Sequence, residues 1–430
     1  MSAARPWRVV FWLIFVCSYA GNQFTPLLLM YKQVDHYSTT VVNEFLGVYV
    51  FGLAPALLLS GALSDRHGRK PLMYAGTCAA LLASTFLAFS EYGTAGIFVG
   101  RWFAGVTVGV AMAVGNSWLK ELSQAPYDPT ADVQSGARRA SLAFTLGSAV
   151  GALVAGLIAQ LSDLGAWLPF VIHIAVAAPF LWLIRRVPET SRTGGARGSF
   201  WNQFRIPAAG HRRFRRVVLV AAPWIFGGAA IAYGYVPVLL ADASGEWGLG
   251  YATLLTCVTL VVAALVQPAA KRLDTPSSAR GLVACLAATV VGLAVVVAAV
   301  ALDSLVLGVV ASVAIGVAIG IGLVSSLLEV QRIADPEDLA GLTGVFYAVS
   351  YCGFLAPAVL SALSGWVAVP VLLGVLVVLA VLTTVALLRA YRSHLPTGHG
   401  RWPLGSDGND GSDSSDGNDG GSVAGGDPVP

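Results

Sequence analysis

The chain has 430 residues, 56% of them hydrophobic and 11% charged, with a mean hydropathy of +0.73. That balance excludes a soluble globular protein and describes a polytopic membrane protein. The formal net charge of +3 is no argument for nucleic acid, because the basic residues lie where membrane topology places them.

Apolar runs of about 20 residues cross a hydrocarbon core of roughly 30 Å. In chain order they predict spans near 9–31, 41–63, 71–90, 95–120, 139–161, 165–186, 216–240, 249–270, 279–301, 305–328, 341–363 and 367–390. Arg5 and Arg8 precede the first run, and Ser18-Tyr19-Ala20 is similar to a signal cleavage site. The run continues through Pro26 to Met30, longer than a signal core needs, so it reads as a span. Of the 26 Lys and Arg residues, all but Lys32 and Arg101 fall at the N-terminus, in the even-numbered turns or in the C-terminal tail. Basic residues are retained on the cytoplasmic side, so this segregation predicts twelve spans with both termini cytoplasmic, in the cell membrane.

Residues 1–186 form a first six-helix bundle, 187–215 a cytoplasmic linker, 216–390 a second bundle and 391–430 a cytoplasmic tail. The linker's Arg212, Arg213, Arg215 and Arg216 suit either an anionic lipid leaflet or simple retention on the cytoplasmic side. The tail, rich in Gly, Ser, Asn and Asp, has too little apolar surface to offset its ordering entropy and is expected to be disordered. Its Asp-Gly-Asn-Asp-Gly repeats lack the bidentate Glu that ends an EF-hand loop. The five cysteines all lie in predicted spans without metal-ligand spacing and read as small packing residues. No catalytic nucleophile, metal cluster or phosphate-binding loop emerges, so neither an enzyme nor a cofactor protein is expected.

Between the second and third spans, Gly61-Ala-Leu-Ser-Asp65-Arg66-His-Gly68-Arg69-Lys70 crowds five charged or titratable side chains into a tight turn. It resembles the signature loop of the major facilitator superfamily, Gly-x-Leu-Ala-Asp-Arg-x-Gly-Arg-Lys, departing only at Ser64. The resemblance implies an all-α membrane bundle of two pseudo-symmetric six-helix halves that transports by alternating access. It also implies that Arg69 pairs with an acid ending the fourth helix, for which Glu121 is the match. Gly61, Asp65, Arg66, Gly68, Arg69 and Glu121 are therefore the expected conformational gate, a latch that must break for inward opening. After the eighth span the second half keeps charge in Gln267-Pro-Ala-Ala-Lys271-Arg272-Leu-Asp274 but loses the glycines. Glu329 and Arg332, ending the tenth span, are expected at a cytoplasmic gate.

Charge within a bilayer is costly and usually faces a partner or a water-filled cavity. Arg101 opens the run Arg101-Trp-Phe-Ala-Gly105-Val-Thr-Val-Gly109, which is similar to the family's fourth-helix pattern, where in proton-coupled members the Arg is linked to proton transfer. Arg101 alternatively anchors a helix by bonding carbonyls or an acid. Glu44, at similar depth in the second span, is its expected acidic partner, or else an acid favoured by the helix dipole. His173 reads as a packing histidine or a further titratable group. Many drug exporters of the family carry an acid in the first span; this chain has Asn22 and Gln23, which become the leading substrate contacts. Trp224, Tyr233 and Tyr235, with Pro237 as a kink, and Tyr347 and Tyr351 on one face of the eleventh span are the candidate aromatic surface. The small-residue run Gly147-Ser-Ala-Val-Gly151-Ala-Leu-Val-Ala-Gly156 loosely resembles the family's antiporter motif without its proline, and Pro188-Glu189-Thr190 matches a triplet of sugar porters and drug exporters.

The expectation is a monomeric, proton-coupled exporter of a small organic molecule such as a drug or natural product, the 12-helix drug/proton antiporter group being the nearest resemblance. Its partners are that substrate, protons and the lipid bilayer, not nucleic acid. The alternatives are uptake of a sugar or organic anion with Arg101 as counter-charge, and a non-transporting membrane sensor.

Overall fold

The computed structural model describes residues 5–33, 36–90, 93–131, 135–191, 206–273, 275, 277–334 and 339–393. The expected disordered tail from 394 onward and linker residues 192–205 lie outside them. Among the described residues the protein is an all-helical bundle with 12 helical spans. They are α1 (Trp7–Lys32), α2 (Thr39–His67), α3 (Arg69–Ala88), α4 (Thr94–Leu122), α5 (Ser135–Leu161) and α6 (Leu168–Arg186), then α7 (Phe214–Leu239), α8 (Ala241–Leu273), α9 (Arg280–Ala301), α10 (Leu305–Ile333), α11 (Gly341–Leu363) and α12 (Val369–Ala390). Twelve crossings return the chain to the side on which it began, here called the terminus face; the other is the far face. Several spans outrun the apolar runs that predict them, as α8 and α10 do, because helix continues into polar turns that hydropathy does not register.

Several spans are irregular in mid-course: α4 widens over Ala111–Gly115, α6 breaks between Ala177 and Phe180, and three more depart from regular helix beside a proline. α1 stops as a regular helix at Asn22, takes a tighter turn over Thr25–Leu27 at Pro26, and resumes at Leu28. In α7 the turn widens over Ala230–Tyr235, just before Pro237, whose missing N–H leaves the ladder incomplete. A tight turn at Gly353–Leu355 interrupts α11 ahead of Pro357. Irregular backbone at membrane depth is tolerated where it is buried in protein or lines a cavity, so these breaks mark where to look for a site.

Small residues set how closely the spans approach. A Cβ on Gly105 of α4 would lie 2.0 Å from the Tyr49 carbonyl oxygen of α2, and one on Gly147 of α5 would lie 2.3 Å from the Phe15 carbonyl oxygen of α1. The run from Gly147 to Gly156 therefore serves helix contact: Gly151 meets α1 at Tyr19, and Gly156 meets Thr253 of α8. Between α4 and α5, buried Asp128 accepts from Arg139 at 2.9 Å and from Thr130 at 3.0 Å, with the Arg139 guanidinium 3.8 Å from the Trp7 ring centroid. Burial works to raise the Asp128 pKa, but the Arg139 and Thr130 hydrogen bonds outweigh it and hold the carboxyl below its ordinary range.

Gly105→Val should lower the thermal unfolding temperature in detergent by several degrees, since overpacking costs about 1–3 kcal/mol, whereas Gly61→Ala, with nothing within 4 Å of an added Cβ, should leave it unchanged. The stabilisation from Asp128 is present above the unfolded carboxylate range and lost as pH falls through its lowered folded value. An acid titration of unfolding temperature should accordingly be shallower in Asp128→Asn than in the parent protein.

Candidate functional site

At the terminus face the loop from Gly61 to Lys70 turns through Gly68, whose φ of +99° suits glycine. A Cβ there would also strike Glu189, 2.6 Å away. The Glu189 carboxylate accepts the backbone N–H of Arg69 and of Lys70, each at 2.9 Å, and so caps the start of α3. That is a role for the Pro188-Glu189-Thr190 triplet that its sequence alone did not disclose. Arg69 reaches Asp65 at 2.7 Å and Glu121 at 3.0 Å, and the Thr190 hydroxyl donates to Glu121. Arg66 is half-buried at the end of α2, and Gly61 has open space beside it.

All of these groups belong to α2, α3, α4 and the end of α6. The Arg69–Glu121 pair is the one expected, and the ion pairs of Arg69 join helices within the first six spans. A second cluster does the same for the last six. Arg213, fully buried at the start of α7, donates to the Glu329 carboxylate through Nε at 2.6 Å and Nη2 at 2.8 Å, and to the carbonyls of Tyr391 and Ser393 at 3.4 and 3.0 Å. Arg332 adds a bond to Glu329 at 3.2 Å. Arg213 therefore departs from the lipid-facing reading of its cluster, while Arg212, Arg215 and Arg216 are exposed. Through Arg213, Glu329 ties α10 to the start of α7 and the end of α12.

Arg101, 1% exposed, is held differently. Its Nε donates to the Phe45 carbonyl of α2 at 3.0 Å and its Nη1 to the Gly21 carbonyl of α1 at 3.1 Å. The Phe24 and Tyr49 rings flank it, their centroids 4.7 and 4.8 Å from Cζ. Gly21 lies just before the break in α1, where the regular ladder ends, and Arg101 satisfies the backbone there. Glu44 is not its partner: it is exposed, and no described carboxylate lies within ion-pairing distance of Arg101. The magnitudes allow this. Inserting an Arg at mid-membrane costs about 2.5–3.5 kcal/mol, and charged hydrogen bonds contribute about 1.5–3 kcal/mol each.

A cavity of about 40 Å³ lies beside Arg101. Gly21, Asn22, Thr25, Leu46, Tyr49, Phe144 and Ser148 wall it from the first six spans; Phe226, Tyr233, Leu260, Tyr351 and Phe354 wall it from the last six. Of the sequence candidates it gathers Asn22, Arg101, Tyr233 and Tyr351. Asn22 donates to Ser148 Oγ at 3.0 Å, and Tyr351 stacks on Phe226 with centroids 4.1 Å apart.

The other candidates lie elsewhere. Gln23 turns inward, donating to Ser84 Oγ at 2.9 Å, because the break in α1 rotates it off the Asn22 face. Trp224 packs on the cluster of α7, α9 and α12 that includes Leu282 and Leu387. Tyr235 bonds Ser361 within the last six spans, and Tyr347 is half-buried against Phe346, away from the cavity. Tyr49, Phe226 and Phe354 went unmarked in sequence, where aromatic residues inside apolar spans are common; the Gly353 and Pro357 pair was the available signal for Phe354.

At the far face the two sets of spans are stapled. Asn43 Nδ2 donates to Ser361 Oγ at 2.6 Å, Lys32 Nζ to the Val238 carbonyl at 3.3 Å, and Gln160 Nε2 to the Glu246 carbonyl at 2.8 Å while its Oε1 accepts from Gly250 N–H at 2.6 Å. Toward the terminus face, Ser141 reaches Gln267 at the longer distance of 3.3 Å.

The sequence model described as Major Facilitator Superfamily matches residues 10–357. The chain belongs to the major facilitator superfamily. Solved structures share the superfamily's fold at low identity: the D-xylose-proton symporter (TM-score 0.70, 16% identity, 91% of this chain and 98% of that one), the POT family transporter PepTSo (0.72, 13%, 90% and 97%) and the nucleoside transporter NupG (0.64, 12%, 90% and 99%). A segment of 74 residues is 34% identical to the multidrug resistance protein MdtL of Shigella flexneri serotype 5b (strain 8401) and equally to that of Escherichia coli O139:H28 (strain E24377A / ETEC). It is 17% of this chain, and the chain spans 19% of the length of those relatives. This member of the superfamily is a multi-pass membrane protein.

Its two charge clusters should differ in thermodynamic weight. Breaking a buried pair by removing one partner costs about 3–5 kcal/mol, and an exposed pair contributes about 0–1 kcal/mol. With side-chain exposures of 0% and 2% for Arg213 and Glu329 against 52% for Asp65, Arg213→Ala should lower the unfolding temperature far more than Asp65→Asn, as measured by nanoscale fluorimetry.

Proposed function

We propose that this chain is a secondary transporter that exports a small organic molecule across the cell membrane in exchange for protons, by alternating access. The observation that carries this reading is the cavity beside Arg101, walled by both sets of spans and sealed from the far face by bonds that join them. Such a site changes its exposure when two bodies rock about it. Here the bodies are the halves 1–186 and 216–390, the first stiffened at the terminus face by the cluster around Arg69 and the second by Arg213, which comes from the residues just before it. The distribution of basic residues supports cytoplasmic termini, which makes the far face the outer one. Export is supported by the segment similar to multidrug resistance proteins.

With Glu44 turned away, the titratable side chain we assign to coupling is His173. Its Nε2 lies 2.9 Å from the Val16 carbonyl, which only accepts, so Nε2 carries a proton. In the neutral ring Nδ1 then accepts from Ser84 Oγ at 2.7 Å, and Ser84 accepts from Gln23. A proton arriving at Nδ1 turns that acceptor into a donor and forces Ser84 to rearrange, within one residue contact of the break in α1. Tyr19 stacks on the imidazole at 5.2 Å between centroids.

In proteoliposomes with an imposed pH gradient and a panel of candidate compounds, a substrate should produce proton movement read by an entrapped pH dye. His173→Gln should abolish that movement by at least tenfold while leaving substrate exchange at zero gradient. Proton movement retained in His173→Gln would overturn the assignment, and uphill accumulation in the opposite direction would establish uptake instead.

A further inference from the structure

We infer that the cavity's ligand is a small organic anion with a flat aromatic body, its anionic group on Arg101 and its ring among Phe226, Tyr351 and Phe354. The inference rests on the transporter reading above and names the substrate class of the same site.

Arg101 is the charged group in the cavity wall, and its charge is solvated by carbonyls and rings without being neutralised by any described acid. Nε and Nη1 are spoken for by Phe45 and Gly21, which fix the plane of the guanidinium. Nη2 makes no hydrogen bond among the described residues. A guanidinium held by two neighbours, with donors left over, presents a preorganised site for carboxylate or sulfonate oxygens. A cation brought to the same cavity meets like charge in a low-dielectric setting, and a neutral amide gains only an ordinary hydrogen bond.

Across the cavity the wall changes character. Tyr351, Phe226 and Phe354 form a triangle of rings: Phe226 is 4.1 Å from Tyr351 with planes at 18°, Phe354 is 5.7 Å from Tyr351 with planes at 21°, and the two phenylalanines are 5.9 Å apart with planes at 38°. This cluster of three rings from α7 and α11 offers aromatic faces to a planar ligand. The cation comes from the first six spans and the rings from the last six. A ligand holding both ends at once therefore draws the halves together, whereas an inorganic anion holds only one. Asn22 and Ser148, already hydrogen-bonded to each other beside Arg101, supply further polar groups for the anionic end. At about 40 Å³ the cavity is too small for such a ligand, so the ligand enters a more open form of the same site, parting Phe226 from Tyr351.

The test uses naphthalene-2-sulfonate, naphthalene-2-carboxylate, the neutral naphthalene-2-sulfonamide and the cationic 2-naphthylmethylammonium on the purified full chain, by thermal-shift titration and by counterflow in proteoliposomes. Both anions should bind at least tenfold more tightly than the neutral and cationic compounds. Arg101→Lys should keep the order of preference with weaker binding; Arg101→Gln should erase the preference, while Tyr351→Ala should weaken all four compounds alike. Should Arg101→Gln fail to yield monodisperse protein, the ranking of the four compounds on the parent chain decides. Equal or better binding of the neutral or cationic compound, or no binding of either anion, overturns the inference. Counterflow of the cation or the amide alone would do so while leaving the transporter reading intact; no counterflow of anions that do bind would fail the transporter reading and keep the anion site.

Discussion

One constraint organises this molecule: polar groups within the hydrocarbon layer must find their partners inside the protein. Helical hydrogen bonding answers it for most of the backbone, and the exceptions are informative. Among the spans that give up regular hydrogen bonding in mid-course, α1, α7 and α11 border the cavity. At the break in α1 the freed Gly21 carbonyl is met by Arg101, so a broken helix and a buried cation answer each other's demand. The same demand orders the polar chain from Gln23 through Ser84 to His173 and the Val16 carbonyl.

At the terminus face the two sets of six spans face an equivalent problem and solve it with different residues. α4 and α10 each end in an acid, Glu121 and Glu329. The first is met by Arg69 from the loop preceding α3, the second by Arg213 from the start of α7. The corresponding loop after α8 has lost the glycines of the first, and the arginine that answers Glu329 comes from elsewhere in the chain. Burial separates the two solutions: Glu329 is 2% exposed and Glu121 34%. One pair is structural in the strict sense that its loss strands a charge; the other is wet enough to exchange partners.

Much of the fold was legible because its signal is one-dimensional. Twenty apolar residues report a span whatever their neighbours are, and the turn from Gly61 to Lys70 reports itself by its density of charge and by Gly68, which the turn's φ demands. The site was legible only in part. Arg101 stood out as an intramembrane charge, and Asn22, Tyr233 and Tyr351 do face the cavity. Glu44 sits one residue from Phe45, yet the Phe45 carbonyl meets Arg101 and the Glu44 side chain is exposed. Gln23 adjoins Asn22 and faces the other way.

The amino-acid sequence by itself determined the span count, the charged turn, the family resemblance and the presence of a buried cation, because each depends on residue type and local spacing. Only the tertiary structure decided which partners those groups take. A step of one residue turns a helix by about 100°, more than enough to exchange cavity for lipid or interior, and hydropathy carries no record of that rotation. It is this rotation that set Arg101 against two carbonyls instead of Glu44 and turned Gln23 toward His173.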